Sequence, residues 1–313
     1  MFEIKRYEPS HEQAWNDFVA RSKNGTFLFD RRFMDYHSDR FTDSSLMILR
    51  KGRIYALLPA NRVGDTLHSH QGLTYGGLLT DAKATAEGVM EVFGALNAWL
   101  RNEGVRRVTY KTMPWIYHRL PAEEDLYALT QVCHARLLTR EISSTILLQQ
   151  PLRFTESRKS GLRKALREGL YMEESGDLAA FWQMLDDNLA SRHHTHPVHS
   201  LDELRLLQGR FPQQIHLYLI YNKEKEPVGG TWVFDTGQVV HTQYIASTKE
   251  GKAHGALDLL FDELINRRYR EGIYLDFGKS TEEGGRVLND HLIFQKEGFG
   301  GRGVCYDTYE WEP

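Results

Sequence analysis

The chain runs through the same order of elements twice, and this repetition limits its possible folds more than any single motif. From Leu46 an apolar strand leads through a loop to Tyr75-Gly76-Gly77. A helix predicted over 86–103 follows, Gly104 closes it, and Val105–Tyr110 reads as a strand. A polar helix and paired strands then run to Leu148. From Ile215 the order recurs. Strands are predicted at 215–221, 230–234 and 239–246, then a helix over 254–271, Gly272, and a strand over 273–277. Val89, Phe93, Leu96 and Leu100 mark one buried face on the first helix. Leu257, Leu260, Phe261, Leu264 and Ile265 do the same on the second, at the spacing of an amphipathic helix. Each helix ends in a glycine suited to the left-handed conformation that satisfies terminal carbonyls. A unit of this length predicts two similar α/β domains rather than a solenoid of short repeats. We place them at 1–150 and 151–313. The competing explanation is chance, because helix–glycine–strand is a common phrase in α/β proteins.

Composition narrows the field further. The 313 residues are 41% hydrophobic and 26% charged, values of a globular protein with room for two cores. A formal charge of −3 does not describe a chain wrapped in nucleic acid, although a local basic face is compatible with it. Cys133 and Cys305 lie far apart without metal-type spacing and are expected to be buried free thiols of a reducing compartment. The N-terminal residues 1–6 lack the apolar core of a signal peptide, and no run approaches membrane-spanning length. The expectation is a cytoplasmic enzyme or binding protein.

Between the two repeats lies a segment with five basic residues in ten positions: Arg158, Lys159, Arg163, Lys164 and Arg167. Arg163 and Arg167 are four apart, as are Leu162 and Leu166, so a helix here carries a cationic and an apolar stripe. Such a stripe holds phosphate or another anion at a crevice, or it is the solvated face of a connecting helix.

Several segments, taken in order, resemble the FemAB-type branch of the GNAT acyltransferase superfamily. The basic stretch from Arg158 to Gly169 is similar to that family's arginine-rich "R..IRKA...G" segment. Tyr244-Ile245-Ala246-Ser247 followed by Gly255–Leu260 resembles its strand-to-helix passage. Leu275-Asp276-Phe277-Gly278-Lys279-Ser280 resembles "YDFG.S", and Leu288 through Gly300 resembles "L..FK.GFG". The resemblance implies two GNAT-like domains, each a mixed, twisted sheet flanked by helices. It also implies that two central strands, here Val239–Ala246 and Ile273–Phe277, splay into a notch that seats an acyl carbonyl. Backbone N–H groups in such a notch stabilise an oxyanion.

Residue by residue, the resemblance assigns Lys296 to charge stabilisation on the reacting acyl group, with Gln295 replacing the usual aromatic before it. Asp276 is a candidate base or orienting acid, or simply an acid capping the Gly278 turn. His241 is a candidate proton acceptor, or a satisfied core histidine. The loop 248–255 is expected to present amides to a donor phosphate, with Lys252, Gly255 and the neighbouring Tyr244 as donor-binding residues. The family's third glycine position is occupied by Leu257, so acyl-CoA is compatible with this loop without being fixed by it. Arg158, Arg163 and Lys164 are candidates for holding an anionic substrate. The tract Arg192-His193-His194-Thr195-His196-Pro197-Val198-His199 lacks an acidic or cysteine ligand and is read as a substrate loop in which His196 and His199 form hydrogen bonds, not as a metal site.

Two function classes remain open at this point. One is transfer of an acyl or aminoacyl group to an amine of a small, anionic precursor, with acyl-CoA favoured as donor over aminoacyl-tRNA. A tRNA donor needs many phosphate contacts, which a net acidic chain with one basic segment does not advertise. The other is a non-catalytic ligand-binding protein that keeps the duplicated fold.

Overall fold

The helix expected from Ala86 forms over Ala86–Asn102 in a computed structural model that describes residues 1–193 and 195–313. His194 of the histidine tract lies outside the described residues. Thr85 caps this helix by accepting a hydrogen bond from the Gly88 N–H, and Gly104 leaves it at a φ of 70°.

The first compact unit comprises residues 1–141, 281–287 and 305–313. It opens with β1 (Phe2–Arg6), α1 (Glu12–Arg21) and α2 (Arg31–Met34). Strands β2 (Leu46–Arg50), β3 (Arg53–Leu58), β4 (Asn61–Val63), β5 (Thr66–His68) and β6 (Leu79–Thr80) follow. Helix α3 (Ala86–Asn102), strand β7 (Arg107–Lys111) and helix α4 (Glu124–Gln131) come next. One antiparallel sheet runs β1-β2-β3-β6. A second group pairs β4 with β5 antiparallel and β5 with β7 parallel. The core gathers Leu46, Ile48, Leu58, Val89, Phe93, Leu96 and Tyr110.

The division expected at 150/151 assigns the end of the chain to the second domain, whereas its last residues pack in the first unit. Thr308–Trp311 pairs antiparallel with Lys111–Val108. Trp311, 4% exposed, packs on Phe93 and Tyr110 and donates its indole N–H to Asn97 Oδ1 at 2.9 Å. Burying that ring outweighs sequence order, because a Trp side chain contributes a large apolar area.

The second unit comprises residues 142–280 and 288–304. Strand β8 (Arg136–Leu147) enters it, followed by α5 (Glu156–Arg167), β9 (Tyr171–Glu174), α6 (Leu178–His193) and α7 (Leu201–Arg210). Strands β10 (Ile215–Tyr221), β11 (Pro227–Asp235) and β12 (Val239–Ser247) form a meander. Helices α8 (Lys249–His254) and α9 (Ala256–Glu263), strand β13 (Tyr274–Lys279) and helix α10 (Asp290–Gly298) complete the unit. The strand order is β8-β13-β12-β11-β10-β9, and β12 with β13 is its parallel pair. Phe261, Phe277 and Phe299 sit together in the core, with ring centroids 4.8 to 5.9 Å apart.

Three expectations change here. The helix predicted over 254–271 is divided: α8 ends at Gly255, in the left-handed region at φ 77°, α9 starts beside it, and Leu264–Arg268 is a π-helical turn. The expected phosphate loop over 248–255 is therefore mostly helical, with Thr248 capping α8 through the Gly251 N–H. The basic segment forms the helix its spacing predicts. As α5 it packs on α9 at a glycine crossing, where a Cβ on Gly255 would collide with the Gly161 carbonyl and a Cβ on Gly161 with the Asp258 carboxylate. Of the two thiols, Cys133 is buried but Cys305 is exposed. No described helix is long and apolar enough to cross a membrane.

The glycine crossing gives a direct test. Gly255→Ala combines left-handed strain with a backbone collision and is expected to cost more than about 2 kcal/mol. Gly94→Ala lies in the interior of α3 with nothing within 4 Å of its Cβ and is expected to stabilise by about 0.5–1 kcal/mol. Urea denaturation of the two variants against the parent checks both signs.

Candidate active site

Parallel pairing between β12 and β13 covers Val239↔Tyr274, Val240↔Leu275 and His241↔Asp276, and stops there. Beyond it β12 carries a bulge: Val233 of β11 faces Thr242 and Trp232 faces Tyr244, leaving Gln243 as the extra residue. A bulge bends its strand and increases the local twist, so β12 turns away and a notch opens. The divergence expected from the sequence is present.

A buried polar network marks the point of parting. Asp276 is fully buried; its Oδ1 accepts hydrogen bonds from Thr145 at 2.9 Å and from Ser143. Its Oδ2 lies 2.9 Å from His241 Nδ1. A carboxylate so placed draws the imidazole proton to Nδ1 and leaves Nε2 as the acceptor nitrogen. One carboxyl thus ties β8, β12 and β13 together. Ser143 and Thr145 were not singled out from the sequence, and their only signal there is the two-residue spacing that puts both on one face of a strand.

Lys296, on α10, is 5% exposed. Its Nζ donates to the carbonyls of Gly278 and Lys279, each at 2.8 Å, and to Ser280 Oγ at 2.9 Å. All three ammonium protons are engaged, so the lysine pins the end of β13 to α10. Burial pushes its pKa down to about 8, an effect opposed by the Asp276 charge. The three residues expected to be catalytic therefore converge on the few residues around the notch.

A cavity of about 230 Å³ occupies the notch. Its walls are Asn188, Ile245, Ala246, Ser247, Lys252, Leu257, Phe261, Phe277, Leu292, Gln295, Lys296 and Phe299. Beside it a second cavity, of about 300 Å³, is walled by Arg158, Gly251, Lys252, Gly255, Ala256, Leu257, Asp258, His291, Phe294 and Gln295. Lys252, Leu257 and Gln295 belong to both walls. Lys252 Nζ donates to Asn188 Oδ1 at 2.8 Å, which holds the ammonium at the junction. Gln295, the departure from the family's aromatic, lies at the same junction. In the second cavity Arg158 pairs with Asp258 at 3.0 Å and stands over the Phe299 ring. Burial raises Asp258 to about 6 despite that arginine. The first amides of α9, which have no partner within the helix, start here at Ala256 and Leu257.

Other expected residues lie elsewhere. Tyr244 is absent from both walls. Its hydroxyl meets His199 Nδ1 at 2.6 Å, its ring stacks near Trp232, and burial raises it to about 12. The bulge at Gln243 accounts for this placement, because an extra residue changes the face on which the following side chains emerge. His199 is buried, with its carbonyl accepting from Trp182 Nε1, while His196 is exposed and meets Asp186 Oδ1 at 2.7 Å. Arg163 is exposed and pairs with Glu156 of its own helix at 2.6 Å, and Lys164 is half-buried on α5; neither lines either of these two cavities.

Comparison with known proteins agrees with this fold. Residues 155–284 match the acetyltransferase (GNAT) domain model. No curated protein matches the chain in sequence. Among solved structures, FemX is similar over 99% of this chain and 97% of its own, with a TM-score of 0.68 and 11% identity. L-PGS from Bacillus licheniformis is similar over 98% and 92%, at 0.58 and 14%. A tandem GNAT protein from the clavulanic acid biosynthesis pathway is similar over 100% and 98%, at 0.51 and 12%. At these identities the structural likeness is one of fold. Residues 155–284, nearly all of them in the second unit, thus match the acetyltransferase (GNAT) domain, and the chain as a whole shares the fold of FemX and of a tandem GNAT protein.

Proposed function

We propose that the second unit moves an acyl or aminoacyl group from a thioester donor of the acyl-CoA kind to an amine of a small acceptor. The observation that carries this is the pair of adjoining cavities: a notch beyond the last β12–β13 pair and a second chamber at the start of α9. A thioester set across them has its carbonyl in the notch and its polar arm beside Arg158, Lys252 and the first amides of α9. The walls hold two basic side chains that a donor phosphate can use; a transfer RNA would need many more phosphate contacts.

The reaction follows from the placement of groups. The neutral amine attacks the thioester carbonyl carbon, a C–N bond forms, and the carbonyl oxygen takes the negative charge. N–H groups on β12 that β13 no longer pairs with stabilise that oxygen. The Lys296 ammonium adds positive potential from within the wall. Because its three protons are already engaged, it acts through its field and by fixing the end of β13. Collapse of the intermediate breaks the C–S bond, and the departing thiolate takes up the proton lost by nitrogen. Asp276 and His241 are outside the cavity wall, so we assign them to positioning: they set where the strands part. An anionic acceptor remains part of the proposal through the basic face of α5, where Arg163 and Lys164 lie. The full engagement of Lys296 is also what favours the second reading, a ligand-binding protein without turnover.

Two measurements test the lysine. Lys296→Met is expected to lower kcat by on the order of a hundredfold with KM little changed, read from thiol release in the presence of an amine. Parental turnover in a folded variant removes Lys296 from the mechanism. The second is the pH profile. The Lys296 charge is present below about 8 and lost above it, so the parent rate should decline through that pH. The same alkaline limb should be missing from Lys296→Met; its persistence there would assign the limb to another group.

A further inference from the structure

We propose that the acyl group taken by this domain is uncharged, apolar and longer than acetyl, and that α-aminoacyl groups are rejected. This rests on the thioester reading above and narrows it. Most of the notch wall is hydrocarbon, with Phe261, Phe277 and Phe299 packed as one cluster behind Ile245, Ala246 and Leu257. Four of the five polar side chains in the wall are engaged within the protein, Ser247 by the Val228 carbonyl, and the fifth, Gln295, is an uncharged amide at the junction with the second cavity. Asn188 is held by Lys252, and Lys296 by two carbonyls and a hydroxyl.

The charges in the wall have one sign. Among the described residues lining the notch there are two lysines and no acid. The nearest carboxylate in the network, Asp276, is turned to Ser143, Thr145 and His241. Asp258 belongs to the second cavity and is paired with Arg158. An aminoacyl donor would bring an α-ammonium into this apolar space beside a buried ammonium. It would lose hydration, meet like charge and find no acid to pair with. An acyl chain meets none of these costs and gains by removing its methylenes from water. Size agrees with chemistry. At about 30 Å³ for each water-sized group, a cavity of about 230 Å³ holds far more than the two carbons of an acetyl. A terminal carboxylate on the acyl group would lose hydration against the phenylalanine cluster, and the Lys296 ammonium is already engaged by two carbonyls and a hydroxyl.

The test compares CoA with stable ketone analogues of its thioesters, in which a methylene replaces the sulfur atom, so that the acyl carbon has no leaving group and no transfer occurs during titration. Calorimetry on the full chain is run with CoA and the acetyl, hexanoyl, glycyl and succinyl analogues. Burial of each methylene is expected to tighten binding up to about fourfold, so the hexanoyl analogue should bind at least tenfold tighter than the acetyl one. The glycyl analogue should bind no tighter than CoA itself, and the succinyl analogue more weakly than the hexanoyl. Ala246→Leu, which fills part of the notch, should reduce the hexanoyl-to-acetyl ratio. That ratio is read within one variant, so misfolding shows as loss of all binding and is replaced by Ala246→Val. Affinity independent of chain length, or glycyl or succinyl binding tighter than hexanoyl, overturns the apolar assignment while CoA binding leaves the thioester reading standing. Failure of CoA and every analogue to bind overturns both.

Discussion

The Asp276 carboxylate, buried and hydrogen-bonded to Ser143, Thr145 and His241, joins three strands at the last position before two of them part. A carboxylate without those partners would be costly at that depth, because a buried charge is tolerated only when its hydrogen bonds are supplied. With them it becomes a fixed corner. Below it β12 and β13 share a ladder; above it they diverge around an apolar cavity. The notch depends on that corner and on the bulge at Gln243, which together make the divergence a property of the sheet instead of a loose strand end.

Two further contacts extend the same logic outward. Lys296 holds the far end of β13 by donating to two carbonyls and a hydroxyl, so the strand that leaves the ladder is still anchored. Gly255 and Gly161 let α5 lie close on the start of α9, which brings Arg158 to the second cavity. The basic segment thereby changes meaning. Its most basic stretch on paper faces outward, and the arginine that reaches a cavity does so because a glycine lies three residues after it. A cationic stripe in a sequence gives charge and period, but which of its members meets a ligand is set by the helix it packs against.

The wall chemistry then separates this chain from what its fold alone allows. FemX and L-PGS share the architecture at very low identity, and architecture does not choose a substrate. Here a phenylalanine-lined wall meets two lysines and no acid among the described lining residues, and it is to that balance of charge, rather than to the sheet, that we assign the choice of acyl group.

Much was legible from the sequence itself because it depends on local periodicity. The amphipathic stripe of α3, the glycine that ends it, the strand Ile215–Tyr221 and the ordered motifs around Asp276 and Lys296 were all visible, since helix and strand faces and left-handed glycines are written in neighbouring residues. Three things were decided only in the tertiary structure. Trp311 carries the last strand into the first unit because burying its ring requires partners, Phe93 and Tyr110, that are distant in sequence. Ser143 and Thr145 join the Asp276 network although only their alternation could have drawn notice, because a hydrogen bond across strands has no signature in either strand alone. Tyr244 turns to His199 and away from both cavities because a single extra residue at Gln243 changes the face of β12, and a register is set by pairing with a neighbour, which one strand's own sequence does not contain.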